Sequence, residues 1–389
     1  MKNFDIEVSH RSSWSLIIFA FVFLSGGIMQ LRGALLPNFQ ATFGVSESLL
    51  GLVAPMGTLG FTITVLTTGL AAGHLPVKKF MLAGAVITTA GTFLMGLSSL
   101  YPLLLLFLVV RGLGTGLFRG LDRPLLNHLY PGKFGRIYNL HAASWALGAA
   151  SGPLFANLIL RLTGNWRTVY LFYGILLVPL FLFLFNKELD TSEFEETRLS
   201  LEKLKRISRK TEILGMFIGI VLNVGIEAIF FTWLPYYLSG IFSHEFGNTA
   251  LTFFLLAYVP GRLISGWLAE KLDLSFLALL NSLFIAVLLA MAFFFTTGYL
   301  QVAFILLSGF SLSSNFPTLL SLGTKTSPKL SGPINALAMT CSALALSAFP
   351  PLVGLITDYI SIAVAMKLTV VLAVGLVLNL VVLRAKLAD

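Results

Sequence analysis

Twelve apolar runs, each long enough to cross a lipid bilayer, limit what this chain can become. A helix rises about 1.5 Å per residue, so about 20 apolar residues cover the hydrocarbon core. Cutting the sequence at its charged and Pro/Gly/Asn turns leaves runs near 14–38, 48–71, 80–98, 101–128, 138–161, 168–185, 213–240, 249–269, 274–296, 300–322, 334–357 and 363–383. Of the 389 residues 57% are hydrophobic and only 11% charged, and the mean hydropathy is +0.89. No water-soluble domain needs that much apolar surface. The expected fold is an all-α membrane protein of twelve transmembrane helices.

The one long polar segment falls between the sixth and seventh runs. It predicts an N-terminal six-helix half over 1–185, a cytoplasmic linker over 186–212 and a C-terminal six-helix half over 213–389. With the N-terminus inside, most of the 26 Lys and Arg lie at cytoplasmic ends, whereas Arg161, Arg167 and Lys367 fall outside. The positive-inside rule therefore puts both termini in the cytoplasm of a cell (inner or plasma) membrane. The net charge of +9 then faces an anionic leaflet, and nucleic acid is not an expected partner.

The polar start MKNFDIEVSHRSS runs into the first apolar stretch without a small-residue cleavage site, so no cleaved signal is expected. Cys341 is the single cysteine, which excludes an intrachain disulfide. No His or Cys pair has metal spacing, and no Gly-rich loop ends in Lys-Ser/Thr, so neither a metal, a cofactor nor ATP is expected. Without a clustered nucleophile and base, an enzyme is not expected either. The partners expected are a small solute, protons and the bilayer, with the chain a monomer.

An internal repeat is visible by offset: Leu36-Pro37 recurs as Leu234-Pro235, Gly69 as Gly266, Pro131 as Pro328 and Pro153 as Pro351. Parallel six-helix repeats are a standard plan of secondary transporters. GLAAGHLPVKK after the second run, its copy GRLISGWLAEKLD, RGLGTG in the fourth run, and GAASGP then GNWR around the fifth resemble the major facilitator superfamily over essentially the whole chain. Asp122, Asn127, Asn139-Leu140-His141, Gly148, Gly152-Pro153 and VGIEAIFFTWLPYYL are most similar to its fucose, galactose and glucose permease group of sugar–proton symporters.

Two departures stand out. The superfamily's first loop motif has an acid where this chain has Gly73, and sugar permeases of this group more typically carry an acid or amide where this chain has Arg32. The resemblance implies alternating access, with Gly69, Gly73, Lys78, Arg262, Glu270 and Asp273 of the two loop motifs as gate residues.

Charge inside a membrane helix marks function. Glu227 lies roughly 21 Å into the seventh run, near the middle of the core, and is the first candidate for proton coupling. Asn223 is one turn earlier on the same face. In the fourth run Arg111, Thr115, Arg119 and Asp122 share one stripe with Arg123 beside it. Asp122 and His141 are further proton-coupling candidates. An ion pair of Asp122 with Arg119 or Arg123 that holds a cytoplasmic gate is an equally open reading, as is a purely structural Arg111.

Substrate-binding candidates are Gln30, Arg32, Arg111, Thr115, Trp145, Asn223, Trp233, Tyr258, Ser311 and Asn315, whose amides, hydroxyls and rings suit a sugar. The function expected is secondary active transport, by proton-coupled symport of a sugar or similar polyhydroxylated compound. The alternative is an exporter or importer of amphipathic or anionic compounds, which Arg32, Arg111 and Arg119 suit.

Overall fold

A computed structural model describes residues 2–71, 75–130, 134–187, 211–326 and 331–388. The side chains of 2–12, 69–71, 134–136, 138, 139, 211, 326, 331–333, 336, 387 and 388 lie outside that description. All twelve expected runs form helices: α1 (Ser13–Ala34), α2 (Glu47–Thr68), α3 (Val77–Gly96), α4 (Tyr101–Leu129), α5 (Leu140–Thr163), α6 (Trp166–Asn186), α7 (Glu212–Ser239), α8 (His244–Ala269), α9 (Leu274–Phe295), α10 (Gly298–Lys325), α11 (Leu337–Tyr359) and α12 (Ile362–Lys386). No strand occurs among the described residues. The first run breaks at Leu35 and continues as a separate short helix, Leu36–Phe43.

Local chemistry sets the ends. GNWR makes the turn from α5 to α6: Gly164 adopts φ +66°, which a side chain disfavours, and the Asn165 side chain accepts the N–H of Arg167 at 3.0 Å. Ser243 caps α8 in the same manner through the N–H of Phe246. Asp273, outside the membrane-spanning part, caps α9 by accepting the N–H of Ser275 and of Phe276, each at 3.0 Å, and it also accepts the Ser275 hydroxyl.

The described chain divides into two compact units. The first comprises Met1–Leu35 and Met56–Arg198. Its seams are built of glycine. On α4, Gly112, Gly116 and Gly120 recur every fourth residue and face α2, where a Cβ on Gly112 would lie 2.5 Å from Gly57 O. Gly114 faces α3 instead, back to back with Gly84, whose Cβ would meet Gly114 O at 2.8 Å and Phe118 N at 2.7 Å. Thr64 anchors the α2 side by donating to Leu113 O at 2.8 Å. Along α1 and α5, Gly26 faces the Trp145 carbonyl and Gly152 faces Gly27. Small residues let backbones approach where lipid supplies no hydrophobic drive between helices.

The second unit comprises Leu36–Pro55 and Leu199–Asp389. Ile213, Met216 and Ile220 of α7 form its core with Leu319 of α10, Ala338 of α11 and Leu376 and Leu380 of α12, all fully buried. The segment 36–55 packs here although it precedes most of the first unit in sequence. Asp358, at the end of α11, accepts the N–H of Glu47 at 2.8 Å and of Ser48 at 3.0 Å, occupying free amides at the start of α2. Glu47 Oε1 accepts from Gln40 Nε2 at 3.0 Å and lies 2.8 Å from the Tyr236 hydroxyl. Gly51 admits the backbone of Pro350 and Pro351, and Gly354 that of Glu47 and Ser48.

Two outcomes are expected in thermal unfolding of detergent-solubilised protein. Gly84→Val forces α3 from α4 and costs about 1–3 kcal/mol, seen as a lower Tm, as for other overpacked interiors; an unchanged Tm contradicts the close seam. Asp273→Ala costs about 1 kcal/mol as a lost cap. The Ser275 hydroxyl first, then the two amides and the charge of Arg384, hold the Asp273 carboxyl below the usual carboxylate range. Its contribution is therefore complete above about pH 4 and disappears as pH falls through the lower folded value. The difference between wild type and Asp273→Ala should shrink in acid; a difference that grows there rejects the assignment.

Candidate functional site

The polar residues within the spans form separate constellations. In the first unit, Arg32 of α1 and Arg111 of α4 are both buried. Their tips converge on Gly57 of α2: a Cβ there would lie 2.9 Å from Arg32 Nη1 and 3.6 Å from Arg111 Nη2. Arg32 Nε donates to Met29 O at 3.0 Å, whereas Arg111 Nε has no hydrogen-bond partner. The hydroxyl of Tyr170, on α6, interacts electrostatically with both guanidinium groups. Arg111 is fixed from behind because Gly91 of α3 leaves room for its backbone, to which a Cβ would approach within 2.8 Å. Thr115 donates to Arg111 O at 2.9 Å and sits 3.3 Å from the Thr88 hydroxyl. Gln30 is buried and its Nε2 lacks a partner.

Further along α4, Asp122 is fully buried. One of its oxygens, Oδ2, takes both Arg119 Nε at 2.9 Å and His141 Nε2 at 2.7 Å, while Oδ1 has no partner. The i, i+3 spacing of Arg119 and Asp122 puts them on one stripe, and α5 supplies the histidine. An ionised carboxylate only accepts, so His141 Nε2 carries a proton. Arg123 beside them is half-buried, as is Lys78 at the start of α3. Gly73 lies outside the described residues, and of Gly69 only its place in a helix is described.

In the second unit, Glu227 sits midway along α7 and keeps part of its surface accessible. Asn223 Nδ2 lies 3.4 Å from Glu227 Oε1 and donates to Leu312 O at 3.3 Å. The buried Tyr258 hydroxyl stands beside Glu227 without reaching hydrogen-bond geometry, and Arg262 acts on the carboxylate through space without closing an ion pair. Arg262 Nε donates to Ser313 O at 3.3 Å, and its guanidinium lies 5.6 Å from the centre of the Tyr258 ring. The geometry thus brings Glu227, Asn223, Tyr258 and Arg262 together, although Arg262 was singled out only as part of a loop motif.

Other singled-out residues have contacts of their own. Trp233 is fully buried and donates its indole N–H to Pro350 O at 2.9 Å. Asn315 donates to the Ser282 hydroxyl at 3.0 Å, and Ser311 is buried on the same helix. Trp145 is half-buried on α5, Glu270 is exposed at the end of α8, and Asp273 is the α9 cap. The cluster of Gln40, Glu47, Tyr236 and Asp358 escaped the sequence reading; the two acids were visible as charges at span ends, but nothing local paired them.

The pattern of the Major Facilitator Superfamily matches residues 17–350. The chain belongs to the major facilitator superfamily. It is a membrane-embedded transporter of that superfamily. Among relatives, a glucose/mannose transporter of Bacillus subtilis (strain 168) is 22% identical over 389 aligned positions, covering 95% of each chain. A probable hexose phosphate transport protein of Chlamydia trachomatis serovar D is 24% identical over 278 positions, which cover 61% of this chain and 59% of that protein. Two solved structures share the fold. A bacterial homologue of the human lysosomal transporter Spinster, inward-facing and occupied, superposes with TM-score 0.84 at 14% identity over 97% of each chain. The transporter FucP in the outward conformation gives 0.65 at 17% identity, over 95% of this chain and 99% of that one.

Within this superfamily member the Asp122 triad is the constellation whose charges are matched in place. Asp122→Asn leaves Arg119 and His141 facing a neutral amide, and about 3–5 kcal/mol of stability should be lost as for other broken buried pairs. Calorimetry of the purified protein reads this; an Asn variant as stable as wild type shows that the triad is not a structural pairing.

Proposed function

We propose that this chain is a secondary active transporter carrying out proton-coupled symport of a sugar or similar polyhydroxylated solute. Solute and proton move together as the halves 1–185 and 213–389 alternate in access, joined by a cytoplasmic linker and with both termini in the cytoplasm of a cell membrane. The observation that carries the reading is Glu227: a carboxylate midway along α7, part-accessible, surrounded by an amide, a phenol and a cation, yet closed into no ion pair. Such a group is free to gain and lose a proton, whereas Asp122 is held by the Arg119 guanidinium and the His141 ring. Protonation of Glu227 favours loading, and release follows when access changes side.

The solute class draws support from the relatives, two of which are named for glucose/mannose and for hexose phosphate. The buried amides and hydroxyls of Gln30, Asn223, Tyr258 and Ser311 are suited to a solute rich in hydroxyls. Arg119, Arg123 and Lys78 are proposed as gate residues with the two loop motifs.

The decisive measurement is uptake of radiolabelled sugar into proteoliposomes under an imposed acid-outside gradient. Glu227→Gln should abolish the stimulation by the gradient while leaving sugar-for-sugar exchange in place. Gradient-driven uptake that persists in Glu227→Gln with its pH dependence intact removes Glu227 from the proton path.

A further inference from the structure

We infer that Arg262 is a positioning residue of the proton site, with two alternative acceptors for its guanidinium: the Ser313 carbonyl, which Pro317 leaves without a helical donor, and the Glu227 carboxylate. This rests on the proton-coupled reading above and adds to it what meets the negative charge once Glu227 has given up its proton.

Pro317 removes a donor from α10. In an α-helix the N–H of each residue bonds the carbonyl four residues earlier, and proline has no N–H. Pro317 lies inside the helix, so position 317 offers Ser313 O nothing. Arg262 of α8 fills the gap, its Nε donating to Ser313 O at 3.3 Å. The neighbouring glycine sets the approach, since a Cβ on Gly261 would collide with Phe310 O and lie 2.5 Å from Ser313 Oγ. α8 therefore meets α10 just where the proline opens its hydrogen-bond ladder.

The same arginine acts on the acid. Tyr258 and Arg262 are four residues apart, hence on one side of α8, and both act on Glu227 without closing a hydrogen bond or an ion pair. Glu227 and Arg262 each keep part of their surface accessible. A protonated carboxyl competes poorly with a carbonyl for a guanidinium, whereas bonds to an ionised carboxylate are roughly twice as strong as neutral ones. When Glu227 passes its proton to water on the releasing side, the carboxylate left behind draws Arg262, which stays protonated throughout. Loss of the proton thus changes how α8 is tied to α10. The other helices packed against α7 in this unit bring no competing charge to the middle of the span. Lys325 of α10, Asp358 of α11 and Lys367, Arg384 and Lys386 of α12 stand towards span ends, as does Cys341 of α11, and the Leu36–Phe43 helix has no charged residue.

The test follows uptake of radiolabelled glucose into proteoliposomes against external pH, at fixed internal pH, for wild type, Glu227→Gln, Pro317→Ala and Arg262→Gln. Pro317→Ala gives Ser313 O its helical N–H and releases Arg262 to the carboxylate, so half-maximal uptake should need about tenfold more protons, one pH unit to the acid side. Arg262→Gln keeps an amide donor for the carbonyl but removes the charge, and should move the midpoint about as far to the alkaline side. Arg262→Lys should return it towards wild type. A packing role alone slows these variants and leaves the midpoint in place; that result, or shifts of one sign in Pro317→Ala and Arg262→Gln, overturns the inference while the proton-coupled reading stands. Should Pro317→Ala fail to fold, the alkaline shift of Arg262→Gln and its reversal in Arg262→Lys decide. Wild type without gradient-driven glucose uptake, or stimulation that survives Glu227→Gln, removes the proton-coupled reading and this inference with it.

Discussion

Close backbone contact along α4 is the constraint on which the first unit depends. In a bilayer every backbone polar group must be satisfied within its own helix, so helices associate through shape and through the few polar side chains they bury. Glycines at 112, 116 and 120 give α4 one smooth face for α2, and Gly114 gives it another for α3. Arg111 is locked between these faces: its backbone lies against Gly91 and its tip reaches Gly57. The approach that seats the helices thus also fixes where a cation can point.

Charge is handled in three different ways in the spans. Asp122 is met at one oxygen, Oδ2, by both Arg119 and His141, while its Oδ1 has no partner. Arg32 and Arg111 are like charges brought close. Glu227 has polar neighbours but no closed ion pair. Of the three, Asp122 is the one met by a direct ion pair among the described residues.

Much of the fold was legible because the bilayer imposes a simple code. The length of an apolar run fixes a span, and local turn chemistry such as Gly164-Asn165 fixes its end. Depth was legible too: counting residues put Glu227 midway along its helix, and the stripe on α4 placed Arg119 beside Asp122. What remained hidden depends on how each helix is rotated and which neighbour it meets. Arg262 looked like part of a loop motif, yet one turn of helix brings it to Tyr258. The sequence offered Trp233 as a ring for a sugar but not the partner of its N–H, a carbonyl 117 residues away. Tyr236 and Glu47 are 189 residues apart, and no local pattern announces their contact.

The segment Leu36–Pro55 has a mechanical consequence. By sequence it belongs with the first six spans, but it packs with the second unit, so the polypeptide passes from one unit to the other at Leu35–Leu36 and again at Pro55–Met56, besides the passage near Arg198. The long polar linker is therefore not the sole tether. Severing it would still leave two covalent strands between the units, and the second unit made alone would lack the piece of chain whose amides Asp358 caps. The covalent boundary and the packing boundary of this protein lie in different places.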